Sequence, residues 1–240
     1  MTKGANKYYN KIAKIYDLMY NKKTGVDHKA QVKWVDNWAR KLNLPKEVLD
    51  LACGTGIHLN YFRKQGYKAQ GIDASQGMLN TAKKRLKTVP LKKGFFEDFK
   101  LKNKVPIITS YFNAISYNTS LQKLKITFKN IYQNLSDGGI FVFDIFCLDK
   151  PKEVFGMKKF ESGKIKISRT IVGLPTSNGF KSIRYYVVFD GKKSEIVSES
   201  SIRGTFSEKQ IIKTLKSSGF KIVYNGKAYA TKSNVFVAQK

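Results

Sequence analysis

The chain has 240 residues, of which 45 are Lys or Arg and 17 are Asp or Glu, so its formal net charge is +28. Hydrophobic residues make up 42% of the chain, which suffices for a sizeable core and excludes a mainly disordered basic tail. Cys53 and Cys147 stand alone in apolar runs, so we expect neither a disulfide scaffold nor a cysteine zinc site. No apolar stretch approaches the ~20 residues of a membrane span. We therefore expect a soluble, cytoplasmic protein with no membrane partner.

The positive charge comes mostly from lysine, because only six of the basic residues are arginine. Such a surface attracts nucleic acid and phosphorylated metabolites alike. Phosphate binding favours arginine, because its planar guanidinium can donate two hydrogen bonds to one phosphate. A charge that comes mostly from lysine is therefore also typical of a lysine-rich composition that has no phosphate-binding role. The charge alone leaves three interpretations open, namely compositional background, an anionic small substrate, or nucleic acid.

The apolar residues follow a helical spacing over the first forty residues, where Tyr8, Ile12, Ile15 and Met19 share one face. Short apolar runs then alternate with helical segments, and these runs are "VLDLA", "YKAQGID", "VPIITSYF" and "IFVFDIF". One of the intervening helices begins at Ser75 as its cap, and another carries a stripe from Leu121 to Leu135. This alternation predicts an α/β fold with a parallel sheet and helices on both faces.

A different pattern occupies residues 150 to 205, where polar and apolar residues alternate with period two in "KIKISRTI", "SIRYYVVF" and "SEIVSESSIRGTF". Asp190 and Gly191 supply a turn signal between the second and third of these runs. The pattern predicts an antiparallel insertion that covers one side of the active edge of the sheet. After it, Ser207 and Gln210 predict a capping box for a helix, and "FKIVYNG" and "NVFVAQ" predict two closing strands.

A pair of glycines, Gly54 and Gly56, directly follows the first predicted strand, and Asp73 ends the next one. Glycines at such a turn let the backbone approach a ligand, and an acid about twenty residues further on can accept the hydroxyls of a ribose. The third position of a dinucleotide fingerprint holds Leu59, which disfavours NAD and FAD, and no phosphate-binding GxxxxGK[ST] motif is present. The sequence therefore predicts a site for another nucleoside-bearing ligand.

The segments "DLACGTG" and "ASQGML", with the acid between them, resemble class I S-adenosylmethionine (SAM)-dependent methyltransferases. The segments "YDLMY", "SYFNAISY", "LSDGGIFVFD", "IKISRTI" and "NVFVA" are similar, in the same order, to small-molecule N-methyltransferases of the nucleotide-linked amino-sugar type, with glycine N-methyltransferases more distant. The resemblance implies a Rossmann-like methyltransferase sheet that binds SAM, releases S-adenosylhomocysteine and needs no metal. It implies an N-terminal helical lid (1–44), a SAM-binding domain (45–149 and 206–240) and an antiparallel insertion over the substrate site (150–205).

The resemblance also implies the residues that bind the cofactor. Asp73 would bind the ribose hydroxyls, Met78 would pack on the adenine, and His28 would lie near the amino-acid end. Relatives carry an Asp-Met pair that reads the adenine where this chain has Phe95 and Phe96, which leaves Glu97 or Asp98 as alternatives. The full expected set is Asp50, Ala52, Gly54, Gly56, Asp73, Met78, Phe95, Phe96, Tyr111 and His28.

The acceptor site is expected around the N-terminal segment and the loop after the fourth strand. Methyl transfer from a sulfonium is an in-line displacement that needs an unprotonated amine, near-attack geometry and exclusion of water. The expected catalytic residues are Tyr16, Asn113 and Tyr117. The expected substrate-binding residues are Tyr20, Phe112, Arg169 and Arg184, with the two arginines on acceptor phosphates.

Two other functions remain open at this point. The basic surface suits an RNA methyltransferase, although the loop after the fourth strand, "YFNAISY", lacks the [DNS]PP[YF] of base-amine enzymes, and the Pro-Cys of C5-cytosine enzymes is absent. A protein that binds SAM without turnover is the other alternative. We expect a monomer or a homodimer.

Overall fold

The structure is a computed structural model that describes residues 3–148, 151–176, 179–229 and 233–240, with side chains from residue 8 onward. The domain boundary expected at residues 149 and 150 lies outside the described residues. The helices are α1 (Lys3–Ile12), α2 (Tyr16–Met19), α3 (His28–Lys41), α4 (Ile57–Lys64), α5 (Gln76–Arg85), α6 (Leu121–Asn134) and α7 (Glu208–Ser217). The strands are β1 (Glu47–Leu51), β2 (Lys68–Asp73), β3 (Leu91–Lys93), β4 (Val105–Ser110), β5 (Leu135–Ile145), β6 (Val154–Ser162), β7 (Ile165–Thr176), β8 (Gly179–Phe189), β9 (Ser194–Arg203), β10 (Lys221–Gly226) and β11 (Asn234–Gln239).

Seven strands form the central sheet in the order β10-β11-β5-β4-β1-β2-β3. The first five strands of the chain pair in parallel, and β10 and β11 add an antiparallel edge beside β5. β4 is buried along its whole length, as expected for a parallel strand that is covered on both faces. The predicted α/β fold is confirmed, and the carboxyl ends of β1, β2 and β4 meet at one edge.

Helices cover both faces of this sheet because successive strand residues point to opposite sides. On one face α3, α4 and α5 supply Val32, Leu59 and Leu79, which pack against the even-numbered Val48 and Val142. On the other face α6 and α7 pack against the odd-numbered residues; this cluster includes Leu49, Leu124, Phe128, Phe141, Phe143 and Leu215.

A second sheet, in the order β6-β7-β8-β9, is antiparallel throughout. The predicted turn is confirmed, since Asp190 accepts hydrogen bonds from the backbone N–H groups of Lys192 and Lys193. The sequence missed β6, because Phe160 is the only buried residue of that strand and its pattern does not alternate. Side chains of the inner sheet face, among them Tyr186, pack against Tyr8 of α1 and Met19 of α2, which brings the N-terminal segment under this sheet.

Local capping residues fix several of the helix ends. Ser75 caps α5, and Ser207 and Gln210 form the predicted capping box of α7. The expectation that Leu135 belongs to the α6 stripe is wrong, because it is extended and pairs with Val105 of β4. Within the described residues, no helix combines the length and apolar character that a membrane crossing needs.

Candidate functional site

Two small connected cavities lie at the carboxyl edge of the central sheet. The first has a volume of about 50 Å³, and its wall includes the predicted cofactor residues Ala52, Gly54, Asp73, Met78 and Tyr111. The second has a volume of about 10 Å³ and is lined by the predicted Phe95 and Phe96. Ala52 and Asp73 belong to both walls, so seven of the ten expected cofactor residues surround one continuous site.

The two motif glycines have different roles in the turn after β1. Gly54 has a φ of +55°, lines the cavity, and a Cβ added to it would meet no protein atom within 4 Å. Gly56 has a φ of +75°, and a Cβ there would lie 2.6 Å from Cδ1 of Leu86. Gly54 therefore leaves room for a ligand, whereas Gly56 leaves room for the chain itself.

The carboxylate of Asp73 is buried and held in place by backbone donors. Its oxygens accept hydrogen bonds from the backbone N–H of Gly54 at 2.8 Å and of Ser75 at 2.7 Å. Burial raises its pKa to about 6, against these hydrogen bonds, which act to lower it. Each carboxylate oxygen has a further lone pair, so the group can also accept two vicinal ribose hydroxyls. The residues present thus fit the nucleoside part of SAM.

Two of the expected cofactor residues lie behind this wall. Asp50 accepts a hydrogen bond from Thr109 at 2.8 Å, has no partner for Oδ2, and burial raises its pKa to about 7. His28 contacts Nε2 of His58 at 3.2 Å and the carbonyl oxygen of Tyr20 at 2.9 Å, and burial lowers its pKa. Asp50, His28 and Gly56 are the three expected cofactor residues that line neither of the two cavities. The structure gives them supporting positions, and their contact with a cofactor stays a prediction.

A larger cavity of about 500 Å³ lies on the other side of a wall made by Tyr9, Tyr16 and Phe112. These three residues line both the larger cavity and the 50 Å³ one. The predicted Tyr20, Asn113 and Arg184 also line the larger cavity, and the predicted Tyr117 lines the smaller one. The expected acceptor residues are therefore brought together next to the expected cofactor site, with Arg169 as the exception.

The loop after β4 owes its shape to Asp144 at the end of β5. Phe112 and Asn113 both have left-handed backbone conformations, with φ of +59° and +57°, and both donate their backbone N–H groups to the Asp144 carboxylate. Burial raises the pKa of Asp144 to about 6. The side-chain oxygen of Asn113 accepts a hydrogen bond from the backbone of Phe146 at 3.1 Å. This bond occupies one lone pair of the side-chain oxygen of Asn113, an expected catalytic residue.

Three arginines of the antiparallel sheet have different surroundings. Arg184 forms an ion pair of 2.7 Å with the buried Glu199. Arg203 lines the larger cavity, donates to the hydroxyl of Tyr117 at 2.9 Å and lies 4.6 Å above its ring, with no carboxylate partner among the described residues. Arg169 donates to the hydroxyl of Tyr20 at 3.0 Å and lies outside the larger cavity's wall.

Sequence reasoning missed Tyr9, Asp144 and Arg203. Tyr9 shares the helical face pattern of an ordinary core residue, and Asp144 ends the most apolar strand of the chain. Alternation along β9 places Arg203 on the same face as Glu199, which is the one signal that could have found it. In the described ranges, no group of three or more His, Cys, Asp or Glu side chains could hold a metal ion.

Residues 48–139 match a family model described as a methyltransferase domain. Over 133 residues the chain is 32% identical to the dTDP-3-amino-3,4,6-trideoxy-alpha-D-glucopyranose N,N-dimethyltransferase of Streptomyces venezuelae. The alignment covers 55% of the chain and spans just over half, 56%, of that relative.

Two solved structures resemble the chain over nearly its whole length. DesVI from Streptomyces venezuelae has a TM-score of 0.86 at 23% identity, over 94% of this chain and 97% of DesVI. The sugar N-methyltransferase KedS8 from a Streptoalloteichus species has a TM-score of 0.83 at 21% identity, over 94% of this chain and 92% of KedS8. The chain thus has the Rossmann-like fold of class I methyltransferases that the sequence resemblance implied.

Proposed function

We propose that the chain is a SAM-dependent N-methyltransferase that acts on the amine of a small anionic metabolite, such as a nucleotide-linked amino sugar. One observation carries the proposal: a single aromatic wall, Tyr9, Tyr16 and Phe112, separates a nucleoside-type site from a larger cavity that contains two arginines. The N,N-dimethylation named for the Streptomyces venezuelae relative supports an amino-sugar acceptor.

The residues of the small cavities would hold the cofactor. Asp73 would accept the ribose hydroxyls, the backbone of Gly54 would pass close to the ligand, and Met78 with Phe95 and Phe96 would enclose the adenine. When bound, SAM supplies a methyl group on a positively charged sulfur. Since the aromatic wall lies between the two cavities, it would surround the path of that methyl group.

The tyrosines of the wall would orient the acceptor and keep water out. Burial raises the pKa of both Tyr9 and Tyr16 well above 10, so their hydroxyls stay neutral and act by hydrogen bonding. A neutral hydroxyl that accepts an amine N–H bond turns the amine lone pair away from itself, towards the methyl group. The N–C bond then forms as the S–C bond breaks, and the ammonium product releases one proton to solvent. Holding the two reactants in this geometry supplies most of what the displacement needs.

The arginine cluster supports an anionic acceptor on its side of the larger cavity, whose wall also contains Asp27 and Asp144. Two guanidinium groups, Arg184 and Arg203, face one carboxylate, Glu199, so one positive charge is left without a partner in that cluster. A partly buried guanidinium gains most from a phosphate or carboxylate that it can hold through two N–H bonds. Cations beside the site also favour the neutral, reactive form of the amine. The cavity volume of about 500 Å³ lies in the range of small-molecule pockets.

The test is a methyl-transfer assay with radiolabelled SAM on amino-bearing nucleotide sugars, the same amino sugars without the nucleotide, simple amines and total RNA. We expect turnover on the nucleotide sugars with a lower KM than on the neutral sugars. Transfer to RNA alone would replace the acceptor assignment with RNA methylation. Binding of SAM with no transfer to any of these acceptors would favour a binding protein without turnover.

A further inference from the structure

The N-terminal segment is fastened to both ends of α5, the helix that follows the ribose-binding strand. At the start of α5, Oδ1 of Asn10 accepts hydrogen bonds of 2.7 Å from the Ser75 hydroxyl and from the backbone N–H of Gly77. The approach is a backbone contact, because a Cβ at Gly77 would lie 2.6 Å from Cα of Asn10. Only glycine permits α1 to dock this closely.

At the other end of α5, about 15 Å away along a ten-residue helix, a second contact is made through charge. Asp17 accepts a bond from the Thr55 hydroxyl with one oxygen and one from Arg85 with the other, both at 2.5 Å. Arg85 also donates to the carbonyl oxygen of Thr55 at 2.5 Å. We call Asp17, Arg85 and Thr55 the latch. Thr55 lies between Gly54 and Gly56, so the latch joins the N-terminal segment directly to the glycine turn.

The two attachments hold the aromatic wall over the cofactor cavities. Tyr16 is the neighbour of Asp17 in the chain, and Tyr9 is the neighbour of Asn10. With both attachments made, the cofactor cavities measure about 50 and 10 Å³, far below the ~300 Å³ of the smallest typical ligand pockets. Tyr9 and Tyr16 belong to the wall of the 50 Å³ cavity, so movement of the segment between the attachments would widen the access to that cavity.

We propose that the latch sets the rate at which SAM and S-adenosylhomocysteine leave the site, and that Asp17 is the positioning residue for Tyr16. This inference rests on the proposed function. The latch is the attachment that opens, because Asp17 and Arg85 are 28% and 30% exposed and α2 is only four residues long. Opening transfers both charged groups to water, where they are well solvated, whereas opening at Asn10 also separates two packed backbones.

The proposal is tested by the dissociation rate of S-adenosylhomocysteine from the full chain, measured by surface plasmon resonance as salt is raised from about 0.05 M to about 0.5 M. In the native protein, salt should accelerate dissociation because it screens the partly exposed ion pair. Asp17→Asn should dissociate about tenfold faster at low salt, since it loses a charged hydrogen bond, and should respond little to salt. Lys22→Ala is the matched control, because it removes the exposed 3.9 Å pair with Asp27 on the same segment and should leave the rate unchanged.

Further comparisons separate the latch from general damage to the fold. The double variant Asp17→Asn with Arg85→Gln should release S-adenosylhomocysteine no faster than the faster of the two single variants, because both changes remove the same interaction. An Asp17→Asn variant with the native rate and the native salt response would overturn the proposal while leaving the proposed function intact. A native protein that binds neither SAM nor S-adenosylhomocysteine would overturn both.

Discussion

The backbone N–H of Gly54 donates a 2.8 Å hydrogen bond to the carboxylate of Asp73, nineteen residues further along the chain. This bond joins the turn after β1 to the end of β2. It fixes the carboxylate at the cavity wall and leaves its remaining lone pairs directed away from the backbone donors. The two motif elements that the sequence predicted separately therefore form one hydrogen-bonded unit.

Asp73→Asn should weaken the binding of S-adenosylhomocysteine and remove the pH dependence of that binding. Only the ionised carboxylate accepts both ribose hydroxyls, and its pKa in the free protein is about 6. Affinity of the native protein should therefore fall as pH decreases below about 6, by up to about tenfold per pH unit. At pH 8 the variant should bind about 30- to 100-fold more weakly, a loss of about 2–3 kcal/mol. Calorimetric titration between pH 5 and 8 checks this, and parallel curves for the two proteins would contradict the ribose assignment.

Gly54→Ala and Gly56→Ala should separate ligand binding from stability. Gly54→Ala places a methyl group in the cavity and should abolish most cofactor affinity, while its left-handed φ costs about 1 kcal/mol of stability. Gly56→Ala drives a Cβ into Leu86 and should cost about 2–3 kcal/mol of unfolding free energy. Urea denaturation gives the stabilities and calorimetry gives the affinities. Equal losses of cofactor affinity in the two variants would show that Gly54 lies no closer to the ligand than Gly56 does.

The free energy of unfolding of Asp50→Asn, relative to that of the native protein, should increase as the pH rises. The pKa of Asp50 is about 7 in the folded state against 3.8 as its ordinary value, so the folded state binds a proton that the unfolded state releases. Stability from this group is complete below pH 4 and is lost as pH rises through about 7. The variant lacks this loss, so it should gain about 2 kcal/mol relative to the native protein between pH 5 and pH 7. Urea denaturation at the two pH values measures the difference, and a constant difference would mean that Asp50 is ionised throughout.

Arg203→Gln should raise the KM for an anionic acceptor about tenfold or more and leave the Kd for S-adenosylhomocysteine unchanged. Its guanidinium reaches the larger cavity without a carboxylate partner among the described residues. Arg169→Gln serves as the comparison from the same sheet face, because that side chain contacts Tyr20 outside the cavity wall. Initial-rate kinetics on an amino-bearing nucleotide sugar would decide between them. A larger KM effect at Arg169 would return the phosphate to one of the two arginines that the sequence favoured.

The order of the elements and the place of Asp73 at the cavity wall could be predicted because both depend on local pattern. Short apolar runs, glycines and the acid at the end of β2 carry their meaning within a few residues. The choice among Arg169, Arg184 and Arg203 could not be predicted, because all three lie on one face of a sheet and only its placement decides which reaches the cavity. Asp50 shows the same limit, since its side chain turns towards Thr109 of the neighbouring strand.

The hydroxyl groups of Tyr8 and Tyr186 are in contact across 178 positions of the chain. Closing so long a loop costs more chain entropy than pairing neighbouring strands, so contacts of this span form late in folding. Asn10 of α1 contacts α5 directly, but the packing of Tyr8 in the same helix is complete only after β8 has been placed. Because Tyr9 follows Tyr8 in the chain, the antiparallel sheet helps to fix the position of one residue of the aromatic wall.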